Sequence, residues 1–160
     1  MKHPLRLLAL LLLLLLAPAL RAQPAAVEIV RVFTGWRDTA SFQGISEHFD
    51  GREHTGGIIM LRSRPAERDG YYWLIRLKNG GPALAGAKFE LQVITPASPD
   101  ARVFAFPTDV PAGSAVFRIG LTGPDWAGAR TRPVAWRLSL LAADGRTVIA
   151  RQSFLWGGAP

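Results

Sequence analysis

The stretch GYYWLIRLKNGGPALAGAKFELQV, Gly70 to Val93, decides the fold. Tyr71, Trp73, Ile75 and Leu77 are apolar at every second position, and Arg76 and Lys78 take alternate places. Ala87, Phe89, Leu91 and Val93 repeat the pattern against Lys88, Glu90 and Gln92. A period of two marks a strand with one buried face, because successive side chains leave a pleated backbone on opposite sides. Between the runs Asn79, the only asparagine of the chain, stands before Gly80, Gly81 and Pro82. That is turn chemistry, since glycine reaches positive φ without strain. The expectation is a pair of adjacent strands.

The same period extends both ways. Downstream, ARVFAF (101–106) and SAVFRIGL (114–121) flank PTDVPAG, whose prolines and glycine read as a connection. VAWRLSLL places Val134, Trp136, Leu138 and Leu140 on one face, and the chain returns after Asp144-Gly145, a strong hairpin signal. Upstream, VEIVRVF (27–33) and IIMLRS (58–63) add two apolar runs. About seven or eight short strands predict an all-β, antiparallel sandwich. In architecture alone this resembles the immunoglobulin-like sandwiches; no motif ties the chain to a family, and architecture does not imply function.

One segment departs from the pattern. In DTASFQGISEHFDG, Phe42, Ile45 and Phe49 are spaced by three and four, the face of one short N-terminal helix. Asp38 or Ser41 suits its start and Gly51 its end. The competing reading is a hairpin about Asp50-Gly51.

Residues 1–22 read as a cleavable signal peptide. Lys2 and Arg6 precede the apolar run Leu7 to Ala17, Pro18 breaks it, and small residues Ala19 and Ala22 follow. The run is shorter than the roughly 20 residues a membrane span needs, so no stable anchor is expected after cleavage. The destination is the periplasm or the extracellular space. The chain has no cysteine, which excludes disulfides and thiolate metal sites. Residues 23–160 then form a single domain, large enough to be held by its core. Without the signal, 16 basic residues stand against 12 acidic ones, a net +4. This is a mild bias with no basic run, and it gives no nucleic-acid footprint.

Chemistry-bearing patterns are few. His48 and His54 both lie in EHFDGREH (47–54), yet neither the helix nor the hairpin reading puts three ligands on one side. No serine occupies a G-x-S-x-G elbow, the acids are scattered, and the glycines precede strands and not helices. The expectation is therefore a non-catalytic protein with no cofactor and no metal. Trp36 in FTGWRD and Trp126 in TGPDWAG fall in predicted loops, where an exposed ring can stack on a sugar or anchor a protein; the competing reading is that the two rings close the ends of the sandwich. Trp73 and Trp136 belong to buried strand faces. Arg62, Arg64, Arg68, Arg76 and Lys78 form the densest basic group, on two strands expected to be neighbours. The candidate ligand-binding residues are Trp36, Trp126, Arg62, Arg64 and Arg76. The first expectation is an interaction or assembly module of the envelope, meeting a protein partner through a loop end or by strand addition at a sheet edge. The alternative is a small carbohydrate-binding module with a glycan partner.

Overall fold

The computed structural model describes residues 27–42 and 56–157. The signal peptide and the Glu47–His54 stretch, with its helix-or-hairpin alternative, lie outside the described residues. Eight strands follow in chain order: β1 Val27–Arg37, β2 Ile59–Arg62, β3 Gly70–Asn79, β4 Leu84–Thr95, β5 Ser98–Val110, β6 Gly113–Thr122, β7 Ala135–Leu141 and β8 Thr147–Gln152. They make two four-stranded sheets, ordered β1-β3-β6-β2 and β5-β4-β7-β8. Every ladder is antiparallel except β2 with β6, which run parallel. With β2 set aside, the first, second and fifth strands share one sheet and the fourth, third, sixth and seventh the other. This is an immunoglobulin-like sandwich with its fourth strand moved across.

The alternating residues fill the space between the sheets. Trp73, Ile75 and Leu77 of β3, Phe89 and Leu91 of β4, Phe117 and Ile119 of β6, and Leu138 and Leu140 of β7 have no solvent exposure. Trp73 and Trp136 meet edge-on across the sheets at 6.5 Å, and Phe89 meets Phe117 at 5.0 Å. In antibody domains a disulfide crosses this layer; here, with no cysteine, packed rings span it. Val134 is an exception to the expected alternation: it precedes β7 and is exposed.

Two sequence expectations about connections are corrected. β3 and β4 are not paired, because the chain crosses from one sheet to the other at Asn79. The buried Asn79 amide donates to the Pro82 carbonyl at 2.8 Å and the Pro111 carbonyl at 3.2 Å, while its oxygen accepts from Gly81 N–H at 3.0 Å. It thereby fastens the β3–β4 crossing to the β5–β6 crossing. The other connection is shorter than expected, since β5 runs on through Pro107 to Val110. The Asp144-Gly145 hairpin between β7 and β8 forms as the sequence indicates, with Gly145 at φ 82°.

β1 carries the irregularity that matters most. Ile29 lies opposite Leu77 and Arg31 opposite Arg76, so Val30 is an extra, bulged residue. A bulge shifts the side-chain phase by one. Val27 and Ile29 face the core before it; Val32 and Trp36 pack toward the core after it. Phe33, which plain alternation from Val27 would bury, is turned outward and is 56% exposed.

After β1 a 3-10 turn, Thr39–Phe42, opens the segment predicted to be helical. Asp38 caps it, accepting from Ser41 N–H at 2.9 Å and from the Ser41 hydroxyl at 2.6 Å. The Ser41 hydroxyl bond is the largest reason that the Asp38 carboxyl is held below its ordinary value, followed by the Ser41 N–H.

Candidate functional site

Of the five residues singled out from sequence, four are engaged in the fold. Trp126 follows a 3-10 turn, Gly123–Asp125, and plugs the end of the sandwich; only 5% of it is exposed. Its ring stacks on Tyr71 at 4.7 Å and meets Trp73 edge-on at 6.2 Å. Of the two readings of this residue, an exposed ring or a closed end, Trp126 takes the second: the apolar area of the ring gains more from closing the core than from facing water. Trp36, by contrast, is not in a loop. It lies on β1 and packs, half-buried, against the core.

Arg64 donates to Asp125 at 3.0 Å, and Arg102 of β5 reaches the same residue through its backbone carbonyl at 3.0 Å. These bonds tie the β2–β3 link and the start of β5 to the turn before Trp126. Arg62 donates to the Tyr72 hydroxyl at 3.0 Å and lies over the Phe42 ring at 5.1 Å. The Tyr72 hydroxyl in turn donates to the Arg68 carbonyl at 2.6 Å. The basic group is also dispersed, because β6 separates β2 from β3.

Arg76 is different. It projects from the outer face of the first sheet, where the register sets side chains in cross-strand rows. Glu28, Lys78 and Ser114 form one row; Arg31, Arg76 and Val116 the next; then Phe33, Leu74 and Arg118, with Met60 of β2 beyond. Gly35, Tyr72, Gly120 and Arg62 complete the lattice. Tyr72 lies across Gly120, where a Cβ would come within 2.7 Å of the ring. Beside it Gly35 leaves a dimple of about 50 Å³, walled by Phe33, Leu74, Tyr72 and Arg118.

Two features of this face run against stability. Phe33 at 56% and Val30 at 48% expose apolar surface on either side of Arg31 on β1. Arg31 and Arg76 stand directly opposite, in side-chain positions about 5 Å apart at Cβ, where like charges repel. Arg31 leans over the Phe33 ring at 5.3 Å, and neither it nor Arg76 has an ion-pair partner among the described residues. Sequence reasoning found Arg76 but missed Arg31 and Phe33, because the bulge is what brings them to the outer face, where Val30 already lies. The extra apolar residue in VEIVRVF was the available signal.

Elsewhere the chemistry is sparse. A cleft of about 330 Å³ opens between β2 and β5, lined by Met60, Leu61, Pro65, Phe106 and Pro107 with Arg62 at its rim. Among the described residues no three His, Asp or Glu side chains converge as metal ligands. His48 and His54 are outside those residues.

No protein-family model matches the chain, and no curated protein does. Among solved structures it is similar to an immunoglobulin-like protein from Pseudomonas aeruginosa, 19% identical, covering 79% of this chain and 93% of that one at a TM-score of 0.35.

Proposed function

We propose that this is an exported, non-catalytic interaction module of the bacterial envelope, and that it meets a protein partner through the outer β1–β3 face. The observation that carries this reading is the bulge at Val30, which turns Phe33 outward between arginines when plain alternation would bury it. Bulges that re-aim side chains occur at sheet edges, such as β1, and next to working surfaces, and aromatic residues and arginine are enriched in interfaces. Export rests on the signal-like residues 1–22. Carbohydrate binding is the weaker reading, because Trp126 offers no ring face to a sugar and Trp36 is half-buried.

The test is site-specific photocrosslinking in intact envelopes, with the reactive group at position 33 or at position 137, an exposed position of the other sheet. A discrete protein adduct from position 33 and none from position 137 supports the reading. Equal labelling from both positions, or glycan alone at position 33, overturns it. N-terminal sequencing of the mature protein checks export, with Gln23 as the expected first residue.

A further inference from the structure

The geometry points to the chemistry of the partner: we infer that the β1–β3 face grips an extended acidic segment of another protein, with a carboxylate seated between Arg31 and Arg76. This rests on the interaction reading above and names what that surface recognises.

Three observations carry it. First, Arg31 and Arg76 are opposed across the β1–β3 ladder with no acid between them among the described residues. Like charges so placed are unfavourable, and a bound carboxylate reverses the sign of that interaction while accepting forked hydrogen bonds from both guanidinium groups. Second, the neighbouring row is apolar where it meets β1 and β3: Phe33 is exposed, Leu74 lies beside it, and the dimple at Gly35 follows. Third, the rows repeat every two residues, roughly 7 Å along the strand, which is the spacing of same-side residues in an extended peptide. A segment whose same-side residues, every second one, are by turns acidic and small apolar therefore matches cation and apolar rows in turn. A polysaccharide acid supplies the charge but no side chain for Phe33 and Leu74. A lipid surface favours protruding loop tips, whereas these residues lie midway along β1 and β3.

The experiment is titration of the full mature protein with a short Glu-Ser-Val-Ser repeat, the Glu–Val peptide, whose same-side residues are Glu and Val by turns, followed by arginine Nε–H and backbone amide NMR shifts. Its Gln–Val counterpart, polygalacturonate and phosphatidylglycerol vesicles are run beside it. Shifts from the Glu–Val peptide centred on Arg31, Phe33 and Arg76, weakening as salt rises, are expected. Arg76→Gln should weaken binding at least tenfold and, by removing the repulsion, raise the thermal midpoint by roughly 1–2 °C. Arg76→Glu should abolish binding and stabilise further. Equal binding of the Glu–Val and Gln–Val peptides, or of wild type and Arg76→Gln, overturns the inference. Saturable binding of polygalacturonate or vesicles through the same arginines, without the peptide, overturns the choice of a protein ligand. A crosslinked partner at position 33 that survives Arg76→Glu sinks the acidic grip but leaves the interaction module standing.

Discussion

Asn79 is the most informative single position for testing the fold. Its side chain makes three hydrogen bonds that join the two crossings between sheets, and the residue is only 2% exposed. Asn79→Ala removes all three and leaves two prolyl carbonyls and the Gly81 N–H without their partner. At about 1 kcal/mol net per bond, with Pro82 and Pro111 exposed so that their carbonyls can turn to water, the loss comes to about 2–3 kcal/mol. For a domain of this size that is a fall of roughly 10 °C in thermal midpoint. Asn79→Asp keeps the acceptor for Gly81 but turns a carboxylate toward the Pro82 and Pro111 carbonyls. Its folded pKa is then raised above the ordinary value, so the variant should weaken further as pH rises through the carboxylate range and recover on acidification. Urea unfolding followed by tryptophan fluorescence reads both variants. A cost below about 0.5 kcal/mol for Asn79→Ala would show that the crossings are held by packing alone, and would refute the argument.

Three further outcomes follow from the same structure. Gly120→Ala forces Tyr72 from its place and breaks its bonds to Arg62 and the Arg68 carbonyl, so unfolding experiments should show a loss of about 2–3 kcal/mol. Trp126→Phe should cost under about 1 kcal/mol against about 3–5 for Trp126→Ala, because it keeps a ring on Tyr71 and removes an indole N–H that is buried without an acceptor; similar losses for the two variants would contradict this. The Asp38 cap, with its carboxyl held low by the Ser41 hydroxyl and N–H, supports its turn above the ordinary aspartate value and is lost as pH falls through the folded pKa. The Ser41 amide shift should titrate below that ordinary value in wild type and not at all in Asp38→Ala.

Much of this architecture is legible in local alternation. Tyr71, Trp73, Ile75 and Leu77 were readable as one buried face because the pleat alone sets that geometry, whatever the strand pairs with. The Asp144-Gly145 hairpin was readable for a similar reason: a two-strand turn is closed within a few residues. Asn79 shows where local reading stops. Its turn-like sequence is the same whether the chain folds back beside β3 or crosses to the other sheet, and only the contest for partners among all eight strands selects the crossing.

The candidate site was less legible than the fold. Arg76 sits on the polar side of a strand whose face is plain in sequence, but Phe33 and Arg31 reach the same surface only because β1 slips by one residue against β3. A bulge belongs to two strands together, so neither strand states it alone. For Trp126 the flanking Gly, Pro and Asp describe a loop correctly but leave both an exposed ring and a closed sandwich end open; the choice between them is made by the open end of the core into which that loop is drawn. The sequence by itself determined which residues alternate, and with them the core and the class of fold, because side-chain direction is a property of the local backbone. The tertiary structure alone decided which strands are neighbours, which aromatics are hidden and which arginines stand opposed, because pairing and burial are settled between segments far apart in the chain.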